Sequence, residues 1–233
     1  MKSDRYLQAL NVFTGLLMVI ATGLVFLYAP RERTMGEVQR IFYFHVPSWW
    51  VGAIALFVTL VAGIAYLRTR DRKWDVLALA SVEIGLVFIT MGTITGAVWA
   101  CPIWNTCWTW DPRLTTATIT WLAYVAYLML RSGITNPDQR ARFAAVYGIV
   151  AFISVPITYY STILLRSIHP VVFGPNNPAA KGTGDPLTPT MLQTFFFCLF
   201  TFTVLYADLL WNRIRLERLT ERVEQLKARL LSA

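Results

Sequence analysis

Residues 46–67 read VPSWWVGAIALFVTLVAGIAYL, twenty-two positions without a charged side chain. A helix needs about 20 apolar residues to cross the hydrocarbon core of a bilayer, so this stretch is long enough to span one. Four more uncharged stretches flank it along the chain, at 10–29, 114–130, 143–165 and 187–207. A sixth, 76–100, contains Glu83 alone. The sequence therefore predicts an all-α integral membrane protein with six transmembrane helices. These form a membrane domain over residues 1–212, and residues 213–233 follow it as a charged tail. Charged residues make up only 15% of the chain, against roughly 25% in soluble domains, which excludes an ordinary soluble enzyme and a disordered chain. Lys2 and Arg5 before the first stretch resemble the start of a signal peptide. The apolar run is longer than a signal core and no A-x-A site follows it, so it is read as a retained helix. The longest connection between spans, 166–186, is too short for a folded nucleotidase. No G-x-x-x-x-G-K-[ST] sequence occurs either, so any energy source belongs to a partner.

The net charge of +8 would suggest nucleic acid in a soluble protein, but its distribution gives another reading. Fifteen basic residues fall on one side of the predicted spans: Lys2 and Arg5, four in 68–75, three in 131–142 and six in the tail. The other side holds Arg31, Arg33, Arg40, Arg113, Arg166 and Lys181. Basic residues are retained on the cytoplasmic side, so both termini are expected in the cytoplasm. The segments 30–45, 101–113 and 166–186 then lie together on the outer face.

That face carries the unusual residues. The chain has two histidines, His45 in Tyr43-Phe44-His45-Val46-Pro47 and His169 in Ser167-Ile168-His169-Pro170. Each falls beside a predicted span end on the outer side. Pro47 suits the first turn of the second span, and Pro170 discourages the fifth from running past His169. Each histidine read singly is a hydrogen-bonded surface group; read as a pair at one depth, they are candidate metal ligands. Between them in sequence lies Trp99-Ala100-Cys101-Pro102-Ile103-Trp104-Asn105-Thr106-Cys107-Trp108-Thr109-Trp110-Asp111-Pro112-Arg113, with four of the nine tryptophans. Pro102 is expected to open a short helix and Pro112 to close it, with Trp104 and Trp108 sharing a face. The segment is either an interfacial aromatic belt or a platform for a flat apolar ring. In the second reading two imidazoles hold a metal at the ring centre, and Arg113 and Arg40 bind carboxylates at its edge. Haem combines an iron, a macrocycle and two propionates, and imidazole is a common axial ligand to it.

The run Trp104-x-x-x-Trp108-Thr109-Trp110-Asp111-Pro112-Arg113-Leu114-Thr115 resembles the tryptophan-rich "WWD" signature of haem-handling membrane proteins in cytochrome c assembly. Arg40-Ile41-Phe42-Tyr43-Phe44-His45-Val46-Pro47 is similar to the first histidine segment of one branch, the cytochrome c maturation protein C (CcmC) family. The resemblance covers nearly the whole chain. It implies a protein that is not itself an enzyme, although it assists covalent loading of haem onto a chaperone. It implies haem b held at the extracytoplasmic face of the bacterial inner membrane by His45 and His169 as axial ligands. Trp104, Trp108, Trp110, Asp111 and Arg113 would form the platform, with Arg40 near a propionate. The implied partners are the periplasmic haem chaperone CcmE, the ATP-binding cassette subunits CcmA and CcmB, and the small membrane protein CcmD. This chain departs from the signature at Asn105 and Cys107, where Gly and Trp are usual, and at Cys101, where a basic residue is common. Two readings of the new cysteines stay open: a disulfide bracing the loop in an oxidising compartment, or two small apolar residues.

Other features have plainer readings. Glu83 either hydrogen-bonds a neighbouring helix or serves a function within the membrane. Gly92-x-x-x-Gly96 reads as bundle packing, and Pro156 predicts a kink below His169. Segment 170–189 is an outer loop that could cover His169. Leu216, Leu219, Val223, Leu226 and Leu230 alternate spacings of three and four, a heptad seam for a cytoplasmic partner or anionic lipid. Two other functions compete: a haem-containing redox subunit, which would use mid-span histidines, and a small-solute permease, which would use mid-membrane polar groups.

Overall fold

The computed structural model describes residues 2–165, 167–169 and 187–231. Arg166, Lys181 and the expected cover at 170–186 lie outside the described residues. Seven α-helices occur among those described, with no strand: α1 (Lys2–Gly23), α2 (Phe42–Thr69), α3 (Arg72–Trp104), α4 (Pro112–Ser132), α5 (Pro137–Ala151), α6 (Ser154–Leu164) and α7 (Pro189–Leu231). One π-turn, Leu24–Tyr28, prolongs α1, and a 3₁₀ turn, Glu37–Ile41, leads into α2.

Five segments are long and apolar enough to cross a membrane: Arg5–Tyr28, Glu37–Thr69, Arg72–Trp104, Pro137–Leu164 and Pro189–Leu231. They correspond to five of the six expected spans. The remaining stretch, 114–130, does form a helix of 21 residues, about 31 Å long at 1.5 Å per residue. Its first half is rich in threonine, however, and α4 falls short of the other five in hydropathy. The hydroxyls of Thr116, Thr118 and Thr120 are satisfied within the protein. Thr116 donates to the Pro112 carbonyl and Thr118 to that of Leu114, while Thr120 pairs with Thr158 of α6.

Helices α2 and α3 form the central antiparallel pair, joined by a tight turn at Arg70 and Asp71. Arg70 adopts a left-handed conformation to end α2, and the Asp71 carboxylate accepts the Lys73 amide to cap α3. Leu56, Val82, Leu86 and Ile89 from this pair interlock with Tyr124, Tyr127 and Ala144 of α4 and α5. On the other side, Val51, Ala55 and Phe88 pack on Phe202 and Tyr206 of α7. The outer surface stays apolar: Val19 and Leu16 on α1, Val87 on α3, Val150 on α5 and Phe196 on α7 are all exposed. Apolar residues on both the buried and the exposed faces suit helices solvated by lipid.

The fifth expected span is two helices. The break falls at Phe152 and Ile153, not at Pro156 itself. Proline lacks an N–H and its ring clashes with the carbonyl four residues earlier, which is that of Phe152. The chain turns there, and Ser154 Oγ donates to the Ala151 carbonyl. Glu83 has a structural partner: its carboxylate takes two hydrogen bonds from Arg213, at 2.5 and 3.0 Å, tying α3 to α7. The tail is not a separate element, because α7 runs without interruption from the last span to Leu231.

Candidate functional site

The first turns of α2 place His45. Helix α2 begins at Phe42, so His45 lies inside it rather than at its edge, and it is only 6% exposed. Pro47 therefore sits beyond the first turn, a correction to the position expected from sequence. The 3₁₀ turn Glu37–Ile41 feeds directly into α2 and moves its start upstream. His45 Nδ1 lies 2.8 Å from the Gly92 carbonyl oxygen. A carbonyl only accepts, so Nδ1 carries the proton and a neutral ring keeps its lone pair on Nε2.

Helix α3 is shaped to receive this ring. A Cβ on Gly96 would lie 2.7 Å from His45 Cε1, and one on Gly92 would lie 2.8 Å from the Trp49 indole. Gly92-x-x-x-Gly96 is thus the seat of an imidazole and an indole on α2, more specific than the general packing read from sequence. Trp99, one turn on, stands edge-on to His45 at 5.9 Å between centroids. Its indole nitrogen is buried and has no hydrogen-bond partner among the described residues. Trp49 was not singled out from sequence, Gly92 and Gly96 were read only as packing, and Trp99 stood in the tryptophan segment without a role of its own. The spacing 92, 96, 99 on one helical face is the signal that could have found three of them.

His169 comes to the same place from after α6. Its ring centroid lies 6.3 Å from that of His45, with the planes tilted by 36°. The backbone holding it is tied to the tryptophan segment. The His169 amide donates to Ser167 Oγ at 3.1 Å, and the Ser167 hydroxyl donates to Asp111 Oδ2. The other carboxylate oxygen of Asp111 accepts the Leu114 amide at 3.0 Å and caps α4. One side chain therefore starts α4 and anchors the His169 segment.

The tryptophan segment differs from its expected form. Helix α3 continues through Pro102 to Trp104 and ends where Asn105 takes a left-handed conformation. Residues 105–111 are irregular, and Pro112 opens α4 at its first turn instead of closing a helix. The preceding Asp111 is an ideal cap for that start, and proline loses nothing there because its amide would have no partner. Trp104 and Trp108 therefore share no helical face. Trp108 meets Trp110 edge-to-face at 5.5 Å. Trp104 and Trp110 are 40% and 71% exposed, so two indoles of this segment face outward. A disulfide joins Cys101 to Cys107 and returns the loop to the last turn of α3.

The two arginines point inward. Arg113 donates to the Thr158 carbonyl at 2.5 Å, and its guanidinium lies 5.8 Å from the Trp49 ring centroid. Arg40 donates to Glu37 at 2.5 Å, to the Ala29 carbonyl at 3.1 Å and to the Val25 carbonyl, closing the carboxyl end of α1. Arg113 thus ties the start of α4 to the middle of α6, and Arg40 ties the start of α2 to the end of α1.

These features define a multipass helical membrane protein with a histidine pair and an indole-bearing loop at one end of its bundle. The family profile described as "Heme exporter protein C" (CcmC) matches residues 1–229. The chain is 31% identical to Heme exporter protein C of Bradyrhizobium diazoefficiens over 201 residues, covering 85% of this chain and 74% of the relative. It is 28% identical to the protein of the same name from Rhodobacter capsulatus over 221 residues, covering 94% and 89%. A putative cytochrome c biosynthesis ccmC-like mitochondrial protein of Marchantia polymorpha is 28% identical, with 87% of each chain covered. The chain belongs to the CcmC heme exporter family.

Proposed function

We propose that this chain binds haem between His45 and His169 at the extracytoplasmic face of the bacterial inner membrane and presents it for cytochrome c maturation. The observation that carries this reading is the 6.3 Å separation of the two rings. Two imidazoles bonded at about 2 Å to opposite sides of one metal have centroids about 6 Å apart. The proton on His45 Nδ1 leaves Nε2 as the ligating atom, and the Gly92 carbonyl holds the ring in that tautomer. Haem b supplies the remaining four ligands and the iron.

The residues then divide by role. His45 and His169 ligate. Trp104 and Trp110 offer exposed indole faces to a flat apolar ring and to the receiving protein, with Trp108 behind them. Asp111 and Ser167 position His169. Arg113 places a half-buried positive charge beside Trp49. Arg40 keeps its assignment to a propionate, although its bonds to Glu37 and the α1 carbonyls give any substitution there a structural cost as well. The chain works with six spans, α4 being the sixth behind α6, and with both termini in the cytoplasm. The receiver is the periplasmic chaperone CcmE, and CcmA, CcmB and CcmD complete the assembly. No bond need be made or broken by this chain alone.

The test is spectroscopic. Purified protein supplied with haem should give a six-coordinate low-spin spectrum. His45→Ala and His169→Ala should each convert it to a five-coordinate high-spin one or lose the haem. A spectrum indifferent to both substitutions would overturn the assignment.

A weaker effect is expected at Ser167. Ser167→Ala removes the tether between Asp111 and the His169 backbone but leaves His45 and its seat untouched. Hydrogen bonds to charged groups contribute about 1.5–3 kcal/mol, so haem affinity should fall roughly tenfold. The absorption spectrum should show a mixture of low- and high-spin forms. Haem titrations of wild type and variant that superimpose would remove Ser167 from the site.

A further inference from the structure

Beyond the membrane, α7 carries a surface that the haem site does not use. The helix of 43 residues is about 64 Å long, twice the thickness of a hydrocarbon core. Its first turns lie near the histidine end, where Phe195 stacks on Phe42 of α2. Its far end therefore projects from the opposite side of the bundle. One face of that end is bound to the body: Arg213 donates to Glu83 of α3 and to Glu217 of its own helix, and Glu221 accepts from Arg72 at 3.3 Å. The opposite face holds Leu216, Leu219, Val223, Leu226 and Leu230, which are 47–78% exposed.

These five are the a and d positions of two heptads, with Glu221 at f, directly across the helix from the seam. The flanks of the seam have one sign. Arg215, Arg222 and Arg229 occupy g positions and Lys227 an e position. In a parallel pair of identical helices, g faces the partner's e, which would set Arg222 against Lys227. In an antiparallel pair, g faces g, which would set arginine against arginine. Like charges therefore oppose self-pairing at Arg222 in either orientation, while Arg215 would face the uncharged Thr220 in the parallel one. Glu217 and Glu221 are turned to the body, and Glu224 pairs with Lys227 of its own helix at 2.9 Å, so the excess positive charge along the seam is carried by the g-position arginines. A bilayer is a poor occupant as well, because a helix continuous with a membrane span cannot lie flat on the surface without a break, and α7 has none.

We propose that residues 216–230 of α7 form half of a heterotypic coiled coil, whose other half is a partner helix with an apolar a/d seam and acidic e and g flanks. The surface lies at the end of the bundle opposite the histidine pair, so it is independent of haem ligation.

The test uses the full chain in detergent and in nanodiscs of zwitterionic lipid. The probes are two synthetic three-heptad peptides with leucine at a and d, one with glutamate and one with lysine at e and g. The glutamate peptide should bind at least tenfold more tightly than the lysine peptide, and binding should weaken as salt rises. The double substitution Leu219→Glu, Leu226→Glu should abolish it; both side chains are exposed, so the fold is retained. Equal binding of the two peptides, or none, would overturn the proposal. Dimerisation of the chain that the double substitution removes would assign the seam to a second copy instead. Loss of peptide binding when anionic lipid is added to the nanodisc would assign it to the membrane.

Discussion

Gly96→Ala is expected to abolish six-coordinate haem binding while leaving the protein folded. The added methyl would sit 2.7 Å from His45 Cε1 and 3.2 Å from Nδ1, closer than packed carbon atoms approach. The imidazole cannot simply step aside. Its Nδ1 is held by the Gly92 carbonyl on the same helix, and Trp99 stands against its edge. The ring must break that hydrogen bond and turn, which removes Nε2 from the axis toward His169. Overpacking of this kind costs about 1–3 kcal/mol of stability, but the larger loss is in ligand geometry. Haem affinity should fall by more than tenfold, with a high-spin spectrum like that of His45→Ala. Gly15→Ala is the matched control, because a Cβ there meets nothing within 4 Å. It should bind haem as wild type does. A Gly96→Ala protein with a normal low-spin spectrum would show that His45 is not a ligand in this pose.

The largest stability effect is expected from Arg131→Leu, at the far end of the bundle. Arg131 closes α4 and makes two hydrogen bonds to Asp75 in the first turn of α3, at 2.5 and 3.1 Å. Both side chains are buried. The acid lies at a helix amino end and the base at a carboxyl end, so each also meets the favourable end of its helix dipole. Removing the arginine leaves a buried carboxylate whose nearest other cation is Arg72 at 3.7 Å. Breaking a buried pair in this way costs about 3–5 kcal/mol. Replacing both partners by apolar residues, Asp75→Leu with Arg131→Met, should restore most of it, because no charge is then left buried. Denaturant midpoints in detergent read both variants. A double variant no more stable than Arg131→Leu would refute the charge argument.

The histidine and tryptophan elements have different histories of legibility. His45, His169 and the tryptophan segment were visible as residue types, because imidazole, indole and carboxylate have few roles at a membrane surface. Their arrangement was not visible. The short helix expected between Pro102 and Pro112 does not form, because Asp111 and Pro112 make a better start for α4 than an end for anything before it. Asp111 was grouped with the platform by its place in the motif, whereas its carboxylate caps α4 and holds Ser167. Ser167 itself carries no sequence signal, since a serine two residues before a histidine is unremarkable until the fold brings a carboxylate to it.

Sequence alone determined five helices long and apolar enough to cross a membrane, because a helix in lipid must satisfy its backbone internally and keep an apolar surface for about 20 residues, a constraint read directly from uncharged runs. It also determined that the histidines and indoles belong to the same end of the bundle, since that follows from counting crossings. Only the tertiary structure decided that Gly96 seats His45, that the fifth span breaks at Phe152, and that Arg113 turns inward to Thr158 and Trp49. Each of these depends on which helix faces which at contact distance. Lipid-facing and helix-facing positions are equally apolar here, so hydrophobic pattern, which orients helices in water, leaves their rotation open, and close packing between particular side chains has to set it.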